Sequence, residues 1–158
     1  MSVAFTKEED SESAAATLPD RPISPHPNLV TREGLLQLDA GLASAKAAYT
    51  AAQTGDVKSD REAMARATRD LRYFSARRAS AQLIESARHP LRVTFGAAVT
   101  VERDDGRTLT YRIVGEDEAD PTRGSVSYLS PLAKALLGKE VGDTATVGDR
   151  QLEVAAIA

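Results

Sequence analysis

From Thr31 onward, apolar side chains recur at Leu35, Leu38, Leu42, Ala45, Tyr49 and Ala52, in alternating steps of three and four. That spacing lines one face of an α-helix, and Thr31 is a residue type that caps a helix start. Met64, Ala67, Leu71 and Phe74 repeat the spacing after an interruption at Thr54-Gly55-Asp56-Val57-Lys58-Ser59-Asp60. Gly55 suits the left-handed end of a first helix, and Ser59 or Asp60 the cap of a second. Each stripe alone has nothing to cover it, and a short connection makes neighbouring helices antiparallel. An antiparallel helical hairpin, a short coiled coil, is therefore predicted over residues 29–88 with its tip near 54–60. Its seam is thin in alanine, Arg78 falls where the next apolar residue belongs, and Leu71 is a main seam contact. The base is expected to lean on the following domain.

After His89-Pro90 the period becomes two. Val93, Phe95, Ala97, Val99 and Val101 alternate with Thr94, Gly96, Ala98, Thr100 and Glu102; Asp104-Asp105-Gly106 makes a turn; Leu109, Tyr111 and Ile113 resume the alternation. A strand over 125–129, a helix from Pro131 to Leu137 stopped by Gly138, and a last strand over 151–157 complete the pattern. Strands with one inserted helix give a compact domain over 91–158 and an α+β class for the whole chain. Residues 1–28 hold the acidic run Glu8-Glu9-Asp10 and Pro19, Pro22, Pro25 and Pro27 without apolar periodicity, and read as a flexible tail whose proline-spaced end is extended.

Composition narrows the chemistry. The 158 residues include no cysteine and two histidines, which excludes a disulfide framework, a thiolate site and a histidine-rich metal cage. No apolar run approaches the ~20 residues of a membrane span and no signal-peptide core precedes residue 28, so a cytoplasmic protein without membrane contact is expected. The net charge of −3 hides a segregation: residues 61–92 carry eight arginines against Glu62, Asp70 and Glu85, while the remainder is acidic. Arg61, Arg66, Arg69, Arg72, Arg77 and Arg78 thus make the second arm basic, either as a solvated face or as a contact for an acidic partner or nucleic acid. Aromatic content of 4% argues against base stacking as the main mode of binding.

Several motifs occur together and in order: Asn28-Leu29-Val30-Thr31-Arg32-Glu33-Gly34-Leu35, Phe95-Gly96-Ala97-Ala98-Val99-Thr100-Val101, Tyr111-Arg112-Ile113-Val114-Gly115-Glu116-Asp117-Glu118-Ala119-Asp120, Ser130-Pro131-Leu132-Ala133-Lys134-Ala135-Leu136-Leu137-Gly138-Lys139 and Val141-Gly142-Asp143. In these the chain resembles the GreA/GreB family of bacterial transcription elongation factors over roughly residues 28–158. The resemblance implies an FKBP-like C-terminal domain that docks on the rim of the RNA polymerase secondary channel, with a coiled coil reaching through it. It implies no prolyl isomerase activity. The docking candidates are the acidic loop Glu116, Asp117, Glu118 and Asp120, together with Ser130 and Pro131. The basic arm is then placed to meet nascent RNA, other nucleic acid of the transcription complex, or acidic channel walls.

In cleavage-promoting members the tip carries Asp-x-x-Glu-Asn, whose carboxylates help hold the second Mg²⁺ of the polymerase; Mg²⁺ is a hard cation that takes oxygen ligands. Here Asp56 matches, but Ser59 stands where the Glu is expected and Asp60 where the Asn is expected. Asp56 with Asp60 or Glu62 is the remaining Mg²⁺-donor set, held only together with the polymerase; the other reading of Asp56, Ser59 and Asp60 is a turn and a helix cap. The arms are also about two turns shorter than in the cleavage factors, which at ~1.5 Å per residue withdraws the tip by about 10 Å. The expectation is a polymerase-binding elongation regulator with no cofactor and no catalytic residues of its own. The alternatives are a coiled-coil adaptor and a stand-alone isomerase-like enzyme. Against the latter, the sequence offers no nucleophile beside a base, no phosphate-binding glycine loop and no ligand cluster.

Overall fold

The computed structural model describes residues 18–55 and 57–158, and the side chains of residues 57–59 lie outside the description. The described residues divide into a helical unit, residues 18–26 and 37–80, and a sheet unit, residues 27–36 and 81–158; the tail expected over 1–28 lies, through residue 17, outside the described residues. Helix α1 runs Arg32–Ala52 and helix α2 Val57–Ser80. No helix among the described residues is long and apolar enough to cross a membrane.

In the helical unit, Leu38, Ala45 and Ala52 are buried seven residues apart on α1, and Ala67 is buried on α2. That is the heptad seam of an antiparallel pair. Leu71, expected in the seam, is only half-buried. Room for the larger Phe74 comes from Gly41, where a Cβ would stand 2.5 Å from the ring. Tyr73 meets Phe74 edge to face at 5.4 Å. Arg78, the break in the apolar stripe, reaches Asp39 at 2.6 Å and so closes the arms with an ion pair in place of an apolar contact.

The tip differs from expectation in two ways. Gly55 is not left-handed; α1 ends instead through Gln53 and Thr54, whose N–H groups donate to Thr50 and Ala51 carbonyls at 3.2 Å each. Such tightened turns satisfy the last carbonyls without a positive-φ residue. The second helix begins at Val57, so Ser59 and Asp60 lie inside its first turn rather than capping it.

In the sheet unit, β1 (Leu29–Val30) pairs in parallel with β2 (Gln82–Leu83). A five-stranded sheet follows, made of β3 (Ala98–Arg103), β4 (Thr108–Val114), β5 (Ser125–Ser127), β6 (Thr144–Val147) and β7 (Arg150–Ile157) in the order β5-β4-β3-β7-β6. Within this sheet the β4–β5 pair is parallel and the other three pairs are antiparallel. One helix, α3 (Pro131–Leu136), accompanies the sheet.

The predicted strand from Val93 is shorter than its alternation suggested. Gly96 takes φ +85°, and its N–H bonds the Ile113 carbonyl at 2.7 Å, while Val93 pairs with Lys139 and Gly138 at 2.8 Å each. A left-handed glycine cannot continue a strand, so β3 starts at Ala98. In β7 the apolar period slips: Leu152 and Val154 are buried, then Ile157 rather than Ala156 faces inward. A register shift beside Thr100 and Val101 leaves Ala155 unpaired and returns Ile157 to the face opposite Val99. The core thus gathers Val93, Val99, Val101, Ile113, Val126, Ala133, Leu136, Ala145, Leu152 and Val154.

Candidate functional site

The acidic loop after β4 is built inward as much as outward. Glu118 turns back towards the start of α1, where its carboxylate accepts the Thr31 N–H at 3.0 Å and the Thr31 hydroxyl, and lies 3.4 Å from the Gly115 N–H. The Thr31 hydroxyl oxygen accepts the Gly34 N–H at 3.1 Å, as a helix cap does. One relay therefore runs from the helix backbone through Thr31 to Glu118, and Thr31 is 2% exposed. Two glycines make room for it. A Cβ on Gly34 would stand 2.0 Å from the Glu118 carboxylate, and one on Gly115 would stand 2.2 Å from the Leu29 carbonyl. The first turn of α1 is thereby held by the sheet unit to which it belongs.

Neighbouring contacts fix the same turn. Arg112 of β4 reaches Glu33 at 3.3 Å and the Gly96 carbonyl at 3.3 Å, and the Tyr128 hydroxyl donates to the Pro27 carbonyl at 2.5 Å. Glu33 is held below the usual carboxylate range, first by its own backbone N–H at the helix start and then by Arg112 and Thr31. Arg32 is held above its ordinary value by its hydrogen bond to Glu85.

The remaining docking candidates separate by role. Asp120 caps the 3₁₀ turn Pro121–Arg123, accepting from the Thr122 N–H at 3.2 Å and its hydroxyl at 2.6 Å. Ser130 caps α3 through the Ala133 N–H at 3.2 Å. Glu116 is half-buried, whereas Asp117 and Pro131 face solvent. Sequence reasoning missed Leu91 and Val141, exposed by 87% and 59%. The pairing of Val93 with Lys139, and of Arg92 with Glu140 at 3.1 Å, brings their segments side by side. An apolar residue next to Pro90 in a polar stretch was the available signal.

At the tip, Asp56 and the Ser59 side chain lie outside the described residues. Asp60 turns its carboxylate back over Gly55, occupying the space a Cβ would take at 2.5 Å. Glu62 pairs with Arg66 one helical turn on, at 3.6 Å. Among the described residues Asp60 and Glu62 do not form a cluster with a third acid or histidine.

The basic arm is largely neutralised from within. Arg69 reaches Asp70 at 3.3 Å, Arg72 reaches Asp20 at 3.1 Å and Arg78 reaches Asp39 at 2.6 Å. Arg77 is 2% exposed and does not belong to any surface patch. Arg61 and Arg66 are exposed near the tip.

Comparison with known proteins bears on the sheet unit. The family described as "Transcription elongation factor, GreA/GreB, C-term" matches residues 88–158. Transcription elongation factor GreA of Ralstonia nicotianae is 46% identical over 86 residues, covering 50% of this chain and 54% of that protein. Its counterpart in Desulfovibrio desulfuricans is 44% identical over 94 residues, covering 58% and 57%. The chain thus spans about half the length of the curated relatives it matches. The crystal structure of GreA factor homolog 1 (Gfh1) of Thermus thermophilus aligns at 24% identity over 84% of this chain and 99% of that one, with a TM-score of 0.40. Residues 88–158 of this chain are thus similar to the C-terminal part of the GreA/GreB transcription elongation factors.

Proposed function

We propose that the chain is a transcription elongation factor that binds RNA polymerase, seats its sheet unit at the secondary channel and places the helical hairpin in that channel. The observation that carries this reading is the family match over residues 88–158 of the sheet unit, the segment that grips the first turn of α1 through Glu118. Asp117 and Pro131 are the docking residues that face a partner; Glu118, Asp120 and Ser130 act by holding the loop and α3 in shape.

The factor acts by occupying the channel and altering the paused or backtracked complex, not by supplying metal ligands. Support comes from the tip, where Asp60 is folded onto Gly55 and Glu62 is paired with Arg66. A weakly held Mg²⁺ takes one or two carboxylates beside phosphate oxygens and water, and here Asp60 and Glu62 point to different neighbours. The test is to add the chain to defined backtracked complexes and follow the length of labelled RNA, with Ser59→Glu and Asp56→Ala alongside. Bound factor with unchanged RNA is the expected result. Strong shortening by the wild type that disappears in Asp56→Ala would make Asp56 a metal donor and overturn the reading.

A further inference from the structure

Residues 18–23 carry the inference. They have no regular secondary structure, which Pro19 and Pro22 enforce, and they lie against α2. Asp20 places its carboxylate 3.1 Å from the Arg72 guanidinium. Arg21 lays its planar guanidinium 3.8 Å over the centre of the Tyr73 ring while reaching Asp70 at 3.3 Å. Beyond Leu18 a cavity of about 610 Å³ continues along α2, bordered by Met64, Thr68 and Arg69. An anion on an arginine, with a flat group stacked on the adjacent aromatic ring, is also the pair of contacts that one nucleotide of a single strand makes, phosphate to guanidinium and base to ring.

We propose that residues 18–23 are a displaceable strap, an internal competitor seated where a nucleotide of single-stranded nucleic acid fits, with Arg72 taking the phosphate and Tyr73 the base. The seat is occupied but not locked. The Asp20 and Arg72 side chains remain 62% and 66% exposed, and exposed ion pairs of this kind are weak and screened by salt. A strap held by such contacts lowers the arm's apparent affinity by the fraction of time it lies closed and yields to a ligand of higher charge. The inference concerns the isolated chain and stands or falls independently of polymerase binding.

The experiment measures binding of a fluorescent single-stranded oligonucleotide to the full chain and to the double variant Asp20→Ala/Arg21→Ala, which leaves α2 untouched. If the strap covers the seat about nine-tenths of the time, the variant binds about tenfold more tightly at low salt. Its log-affinity should also fall more steeply with log salt, by about 0.7, because Arg72 is released to neutralise one phosphate. The gain is expected to vanish when Arg72→Ala and Tyr73→Ala are added, and to be reversed by a synthetic peptide of residues 18–26. Circular dichroism reports helix content throughout, and parental helix content is expected in every variant. Equal affinity of parent and variant, a gain that survives loss of Arg72 and Tyr73, or a seat that takes an acidic peptide but no oligonucleotide would each overturn the proposal.

Discussion

Replacing Glu118 by alanine is expected to loosen the start of α1 far more than loss of one loop acid suggests. The carboxylate is the acceptor for both the N–H and the hydroxyl of Thr31, which is buried. A buried donor left without an acceptor costs about 1–3 kcal/mol, so two donors, with water recovering part of the loss, give about 2–4 kcal/mol. Glu118→Gln keeps the size and one acceptor oxygen and is expected to cost about half as much. Gly34→Ala drives a Cβ to 2.0 Å from the same carboxylate, so it displaces Glu118 and forfeits the same bonds. In the Glu118→Ala background the clash is gone, and alanine at 34 becomes neutral or recovers about 0.5–1 kcal/mol of helix propensity. The pair should therefore couple by about 2–3 kcal/mol in a double-mutant cycle. Urea unfolding followed by far-ultraviolet circular dichroism and by the near-ultraviolet tyrosine signal measures it. Additive effects of the two substitutions would refute the relay from Gly34 through Thr31 to Glu118.

Other outcomes follow from the same geometry. Leu136→Ala, at a side chain with no exposure, is expected to cost about 2–5 kcal/mol in denaturant unfolding, and Leu71→Ala, at a half-buried position, clearly less. Gly41→Ala overpacks against Phe74 and is expected to lower helical-unit stability by about 1–3 kcal/mol, read from far-ultraviolet melting. Because Glu33 titrates below its ordinary value of 4.5, its contribution to stability is full above that pH and lost as the pH falls through its lowered folded value; Glu33→Gln is expected to flatten that part of the acid-unfolding profile.

What could be read from the chain alone was whatever local pattern determines. The helical stripe, the alternation through Val99–Val101 and Leu109–Ile113, and the Ser-Pro start of α3 each depend on neighbours a few residues away. What could not be read depended on long-range partners. Val93 alternates like a strand residue, but Gly138 and Lys139 take its hydrogen bonds. The slip in β7 needs the register with β3 before it makes sense. Glu118 looks like one acid among four until Thr31, far away in sequence, is beside it. Its signal was the pair of glycines, Gly34 in the first turn of a good helix and Gly115 before the acids, each at a place where a side chain would collide. For the basic arm, the charge count over residues 61–92 could not show that Asp20 and Asp39, from other segments, lie against Arg72 and Arg78.

The central claim is that the sheet unit docks this chain on RNA polymerase. Fluorescence anisotropy of the labelled chain, titrated with core polymerase and then with unlabelled GreA, tests it most directly. Saturable binding that GreA displaces, and that Asp117→Lys weakens without changing the melting of the sheet unit, is the predicted result. A failure to bind, or binding that GreA leaves in place, would contradict the account.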